Sequence, residues 1–381
     1  MKKVPGIVWS LLACVICIVA TAAVCLVTAD KGSSSDKYLE ILKIIDTTYY
    51  KEQDLSALED SSAAAMISAL NDEASYYMTK KEYDDYKLAM SNQYIGIGIT
   101  TEPSERYGFL SVVSVTPGSP ADQAHIKIGN MIATVNDINV SQYTPDQLNE
   151  LIRSFDENEK EEDKYFSMTL LNTQGGKAEV RLKSELIYAE PVFCSMVERT
   201  DIGYIKIKNF DDSAAVSLKN AVSELQGVGA KRLIIDVRDN TSGKPGELSE
   251  ALDYLLPKGD LFLLRDRLGK ETTYSSDGSS ISLPMVVIVN ENTSCAAEVF
   301  ASVMQQAGYR IVGRRTAANA QSQVIMELED GSAVRISKFE YLNPDRKSMT
   351  DLGGVSPDIV SYQIEDSDMD VQLEAALDTV G

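Results

Sequence analysis

The sequence predicts a multidomain chain of the α/β (α+β) class. Three observations carry this. Apolar residues recur at helical spacing from Lys37 to Met90. Glycine-punctuated strands run from Tyr94 to Ile187. Short, continuous apolar strands alternate with helices from Val192 to Val360. A length of 381 residues is enough for two or three domains. The boundaries read as 1–30, 31–93, 94–188 and 189–381.

The first segment begins with Lys2 and Lys3, followed by 26 uncharged residues from Val4 to Ala29. As a helix these would reach ~39 Å, enough to cross a ~30 Å hydrocarbon core with tilt. A secretory h-region is shorter, roughly 7–15 residues. The expectation is a transmembrane helix with its N-terminus inside, so that everything after Asp30 is extracytoplasmic at a cell surface or in a periplasm. The alternative is cleavage after Val27-Thr28-Ala29. Lys31 to Asp36 is a polar linker.

Leu39, Ile41, Leu42 and Ile45 start a helical region. A second helix passes through Ala63 to Ile67 and a third from Lys80 to Met90. Together they read as a small bundle without chemistry. Next, Tyr94 to Ile99 and Phe109 to Val113 are strands. Pro117-Gly118-Ser119-Pro120-Ala121 turns into a short helix with proline near its start. Ile126 to Val135 leads to another strand, Thr144 to Ser154 is an amphipathic helix, and strands Tyr165 to Leu171 and Lys177 to Leu182 follow. In the last segment the strands are Gly203–Ile207, Arg232–Arg238, Met285–Asn290 and Tyr309–Gly313. The helices between them are Ala214–Gln226, Gly246–Leu256 and Ser294–Ala307, and the segment ends on a C-terminal helix.

Composition excludes several functions. A net charge of −21 leaves nothing to neutralise phosphates, which argues against nucleic-acid binding. Of five cysteines, Cys14, Cys17 and Cys25 lie in the apolar stretch, leaving Cys194 and Cys295 without a disulfide or metal pattern. His125 is the only histidine, which excludes most zinc chemistry and any triad needing a histidine in the last segment; no metal and no cofactor is expected.

Five motifs occur in order: Asn71-Asp72-Glu73-Ala74-Ser75-Tyr76-Tyr77-Met78-Thr79; Gly96-Ile97-Gly98 with Gly118-Ser119-Pro120-Ala121 and Ile126-Lys127-Ile128-Gly129; Asp236-Val237-Arg238-Asp239-Asn240-Thr241-Ser242-Gly243; Asn290 to Phe300; and Gly354-Val355-Ser356-Pro357-Asp358-Ile359. In this order and at these separations the chain resembles the C-terminal processing peptidases, or tail-specific proteases. The resemblance implies a PDZ domain over 94–188 and a ClpP/crotonase-like α/β protease core over 189–381.

The family's mechanism is a serine–lysine dyad, in which a buried lysine takes the serine proton. Anchored on Asn290 and Glu298, the register puts Cys295 on the nucleophile. Thr316 and Gln323 match the later motif and put Asn319 on the base, with Gln323 as its support. The oxyanion amides would be those of Gly243 and Ala296. Cys295 is either a thiolate nucleophile, its pKa lowered by the helix N-terminus, or an inert buried residue. Asn319 cannot take a proton. Lys338 and Lys347 do not fall on the base position, and Thr293 and Ser294 read as helix caps. His125, Ile128 and Asn130 depart from the family's Gly, Pro and Asp, which makes His125 a residue outside the chemistry.

Tyr94-Ile95-Gly96-Ile97-Gly98 keeps the PDZ loop whose backbone amides would hold a peptide's C-terminal carboxylate, with the peptide adding as a strand. The expected partners are protein or peptide C-termini, the membrane, and a second copy or an active homologous protease. The expected function is C-terminal capture with weak or no cleavage. The alternatives are a Cys295-dependent endopeptidase and a regulatory or scaffold subunit.

Overall fold

The computed structural model describes residues 34–104, 108–156, 160, 164–172, 176–363 and 369–380. The apolar stretch from Val4 to Ala29 lies outside the described residues. Among those described, no helix is long and apolar enough to cross a membrane.

The chain divides into two units after Ala69. The smaller holds α1 (Ser34–Thr48) and α2 (Leu55–Ser68). Asp54 caps α2, accepting from the amides of Ser56 at 3.0 Å and Ala57 at 3.3 Å.

The third helix, α3 (Lys80–Met90), belongs instead to the larger unit, so the expected three-helix bundle is corrected. The cause is β1 (Tyr76–Met78), which pairs antiparallel with a strand of the C-terminal core, Tyr76 opposite Arg335. A Thr79–Glu82 capping box then starts α3 immediately.

The middle segment contains β2 (Gln93–Gly96), β3 (Ile99–Ser104), β4 (Phe109–Val115), α4 (Pro120–Gln123), β5 (Met131–Val135), β6 (Ile138–Asn139), α5 (Pro145–Asp156), β7 (Phe166–Leu171), β8 (Lys177–Leu182) and β9 (Glu185–Tyr188). The strand expected from Tyr94 to Ile99 is two strands, because Gly98 turns the chain at φ +80°. β2 pairs with β9, while β3 is the edge of the sheet β3-β4-β5-β7-β8. Leu148 and Ile152 of α5 pack on Ile97, Val112 and Phe166.

The last segment contains β10 (Val192–Met196), β11 (Ile202–Ile207), α6 (Ala214–Gly227), β12 (Arg232–Asp236), α7 (Pro245–Leu255), β13 (Gly259–Asp266), β14 (Glu271–Ser276), β15 (Met285–Val289), α8 (Cys295–Gln306), β16 (Arg310–Gly313), β17 (Gln321–Glu327), β18 (Ala333–Leu342), β19 (Ile359–Val360) and α9 (Val371–Val380). The main sheet runs β10-β11-β12-β15-β16-β19, antiparallel only at β10–β11. Its central strands are buried on both faces, as their unbroken Val/Ile/Leu runs require. Leu218, Leu252 and Phe300 cover one face and Ala376 and Val380 of α9 the other. Arg238 ties α9 down, bonding buried Asp236 at 2.6 Å and Asp370 at 2.7 Å. A second sheet, β1-β18-β13-β14 with β17 on β18, lies outside the alternating pattern.

Candidate active site

The turn from β15 into α8 is fixed by backbone and hydroxyl bonds. The Thr293 hydroxyl donates to the Val237 carbonyl at 3.0 Å and accepts the Asn290 amide at 3.0 Å. The Ser294 amide donates to the Asn240 carbonyl at 3.1 Å. Ser294 occupies the N-cap position, but its hydroxyl makes no capping bond. The capping reading of Thr293 and Ser294 is therefore corrected: the turn is held by the 237–240 loop instead. Cys295 follows at φ +50°, a left-handed conformation that costs a non-glycine residue ~1–2 kcal/mol. Strain of this kind concentrates where a side chain is presented at a strand–helix turn.

The main chain brings position 319 to this turn. The Asn319 carbonyl accepts the Cys295 amide hydrogen at 2.7 Å. Glu298, at 0% exposure, holds the same loop from below: its carboxylate accepts the Ala318 amide at 2.8 Å, the Asn319 amide at 2.9 Å and the Thr316 hydroxyl. Burial raises the Glu298 carboxyl pKa, and these bonds oppose the rise. None of the contacts that seat the loop depends on the side chain at 319.

Cys295 is 8% exposed. Burial pushes its thiol above the ordinary value. Arg335 and the Ser294 hydroxyl pull it back, while Glu298 and Asp72 add to the rise. The expectation of a lowered thiol pKa is thus corrected, because desolvation outweighs the favourable neighbours. Cys194 and Cys295 are both free thiols.

Gly243 and Ala296 are adjacent. A Cβ on Gly243 would lie 2.8 Å from the Ala296 Cβ and would overlap Phe210. Only glycine permits this approach.

Gln323 is engaged elsewhere. Its carbonyl accepts Arg335 Nη2 at 2.8 Å, and its amide donates to the Ser337 hydroxyl at 3.3 Å. Ser337 in turn donates its amide to the Ser75 hydroxyl at 2.9 Å, and Ser75 bonds Asp72. The Asn71–Thr79 motif thus stitches the start of the larger unit onto the strand that carries Arg335.

Lys244 pairs with Asp212 at 2.5 Å, and Lys206 donates to the Arg238 carbonyl at 2.7 Å. Lys338 lies over the Phe339 ring, and Lys347 is exposed. Ser242 and Lys244 flank Gly243, but Ser242 donates to Asp211 at 2.9 Å and not to the lysine.

A cavity of about 470 Å³ opens beside Gly243, walled by Tyr86, Asp211, Ser242, Gly243, Gln323 and Arg335 among others. Asp211 is 4% exposed, and burial pushes its pKa up to about 6, against the Ser242 bond and the Lys244 charge. Sequence reading missed Asp211, Arg335 and the role of α3. Asp211-Asp212 looks like a solvated loop, and β18 was assigned to no element. The available signal was the β-rich Tyr76-Tyr77-Met78 run, which forecasts a strand partner.

The PDZ loop borders a larger cavity of about 1020 Å³ that Tyr94, Ile95, Gly96, Ile97 and Gly98 all line, together with Ile99 on the open edge. Asn149, Ile152 and Arg153 of α5 form the opposite wall. The carbonyls of Ile97 and Gly98 are bonded inward, to the amides of Ala121 at 3.0 Å and Thr116 at 2.8 Å. A Cβ on Gly98 would overlap Ser119. His125 is exposed at φ +60°, the conformation that favours glycine at that turn. No metal-binding cluster is present among the described residues.

The molecule combines a mostly parallel-sheet core, whose strained strand–helix turn lies beside Gly243, with a preceding six-stranded antiparallel sheet. Residues 201–361 match the model of Peptidase family S41, and residues 85–158 match that of the PDZ domain. The chain thus carries a Peptidase family S41 domain and a PDZ domain, and it is similar to carboxy-terminal processing proteases. It is 28% identical over 322 residues to carboxy-terminal processing protease CtpA of Bacillus subtilis, covering 84% of this chain and 67% of that one. It is 30% identical over 315 residues to carboxyl-terminal-processing peptidase 3, chloroplastic, of Arabidopsis thaliana, covering 77% and 59%. The chain thus spans about two thirds of the length of these relatives. A solved structure from Bacteroides fragilis, named as an S41 protease, shares the fold at TM-score 0.55 and 14% identity, covering 89% of this chain and 96% of that one.

Proposed function

We propose that this chain captures protein C-termini in its PDZ groove and cleaves them weakly or not at all. The observation that carries the reading is the pairing of position 295 with position 319. The backbone joins them at 2.7 Å, yet one holds a thiol raised by burial and the other a carboxamide. A missing general base alone costs roughly 10²–10⁴ in rate. Capture rests on different features: an open edge strand, the glycine loop and a facing helix, which suit strand addition by a peptide. In this reading residues 94–188 are the peptide-binding module and 189–381 the core. The apolar Val4–Ala29 stretch anchors the chain, with the rest extracytoplasmic.

The test is binding of one unstructured peptide as its free acid and as its C-terminal amide. The free acid is expected to bind at least about tenfold tighter, since a carboxylate gains charge-assisted bonds that an amide does not. Equal affinities would remove the C-terminal reading.

A further inference from the structure

The turn that carries Gly243 also carries a serine, and that serine is bonded to a buried carboxylate. Ser242 Oγ donates to Asp211 Oδ2 at 2.9 Å. Ser242 is partly exposed and lines the cavity of about 470 Å³, whereas Asp211 is buried. The backbone fixes both residues. The Phe210 amide donates to the Ser242 carbonyl at 3.2 Å, and the Lys244 amide donates to the Phe210 carbonyl at 2.8 Å. The Ser242 amide donates to Asn240 Oδ1 at 3.4 Å and the Asp211 amide to Asn209 Oδ1 at 3.1 Å. The hydroxyl and its acceptor are therefore in place before any substrate arrives.

Asp211 has the character of a proton acceptor. Its Oδ1 is buried and has no hydrogen-bond partner among the described residues, so the Ser242 hydroxyl is its side chain's one hydrogen-bond donor there. Desolvation with so little compensation disfavours the anion and makes it a stronger base, with a pKa of about 6. A base that titrates close to the working pH is the most effective one.

The next residue supplies a donor for an oxyanion. The Phe210–Gly243 bridge uses the amides of Phe210 and Lys244, and the Gly243 amide has no acceptor among the described residues. The amide directly after a nucleophile is a recurring place for such a donor.

The leaving group decides the substrate class. An amine must be protonated to leave, and Asp211, at 4% exposure, cannot reach out to it. An alkoxide or phenolate needs less help, which favours an ester over a peptide bond. Tyr83, Tyr86, Met90, Pro245 and Ile325 in the cavity wall offer an apolar seat for the acyl group.

We propose that Ser242 is a nucleophile toward carboxylic esters, with Asp211 Oδ2 as its proton acceptor and the Gly243 amide as oxyanion donor. Ser242 Oγ bonds to the carbonyl carbon as its proton passes to Oδ2. The bond from that carbon to the alcohol oxygen breaks, and the alkoxide takes a proton from solvent. Water then attacks the acyl-serine and gives a proton to solvent, and the Ser242 oxygen leaves with the proton held on Asp211. The net reaction is ester plus water to acid plus alcohol. It goes beyond peptide capture, and uses neither position 295 nor position 319.

The test uses the full chain with p-nitrophenyl butyrate, followed by release of nitrophenolate, and with an alkyl fluorophosphonate, whose phosphorus Ser242 attacks as fluoride leaves. Mass spectrometry should map the adduct to Ser242. Ser242→Ala should lower ester hydrolysis at least about 10²-fold, and Asp211→Asn about 10²–10⁴-fold. The unaltered chain's rate should rise with pH and be half-maximal near pH 6, since only ionised Asp211 accepts the proton. The groups facing Asp211 are Asp212 and Lys244 from adjoining loops, Tyr86 of α3 and Arg335 of β18. Loss of the inflection in Asp211→Asn assigns it to Asp211 among them. Denaturant midpoints establish that both variants are folded in the assay, and the adduct map on the unaltered chain decides the matter without them. An adduct on Cys295 or elsewhere, no adduct, or unchanged hydrolysis by Ser242→Ala overturns the proposal and leaves peptide capture standing.

Discussion

The PDZ groove and the core turn both keep an ordered backbone, and the proposed function asks different things of them: backbone recognition of the one, side-chain chemistry of the other. The groove works through backbone: an edge strand, two glycines and inward-bonded carbonyls. The core turn also keeps its backbone, with the Glu298 clamp, the Gly243–Ala296 approach and the Asn319–Cys295 bond all in place. In the proposed reading its chemistry rests on the side chains at 295 and 319, here a cysteine and an asparagine. Backbone-delivered function survives many substitutions, whereas proton transfer is lost with one. The clamp that seats residue 319 never touches the side chain that would act.

The sharpest way to break this comparison is to restore the side chains. Cys295→Ser with Asn319→Lys should raise cleavage of an unfolded protein by about 10²–10⁴ over the unaltered chain, because the frame already exists. Peptide affinity should not change. If cleavage stays at baseline in the folded double variant, the frame is not competent and the contrast with the groove disappears.

The groove can be broken through its backbone. Gly98→Val places a branched side chain at φ +80° against Ser119, and should cost about 2–4 kcal/mol in chemical denaturation and remove free-acid binding.

A third test concerns the cavity. Asp211 titrates at about 6 in the fold against 3.8 unperturbed. A carboxyl raised in this way opposes folding when ionised. The cost is full above pH ~6 and is gone below 3.8. Relative to Asp211→Asn, the unaltered chain should therefore gain roughly 2–3 kcal/mol as the pH falls from 7 to about 4, measured by denaturant titration. A flat difference would mean that Asp211 is solvated.

The smallest effect is expected where the two regions meet. Arg153 of α5 pairs with Asp85 of α3, both sides more than a third exposed. Arg153→Ala should change stability by no more than about 0.5–1 kcal/mol and leave peptide affinity nearly unchanged.

The central strands and helices of the core were legible in the sequence because runs such as Met285–Val289 leave little choice. That Cys295 and Asn319 lie together was legible too, since Asn290, Glu298 and Thr316 carry the register. The second sheet was not: β17 and β18 are mostly half-buried and polar, so their period carries little signal. Arg335 was missed with β18, and Asp211 because burial by distant elements cannot be read from an Asp-Asp pair. The same blindness to burial reversed the direction expected for the Cys295 thiol.

The most direct measurement is turnover of an unstructured protein by the unaltered chain before and after thiol alkylation. Little cleavage, and none that alkylation removes, is the expected result. Robust cleavage abolished by alkylating Cys295 would contradict the account.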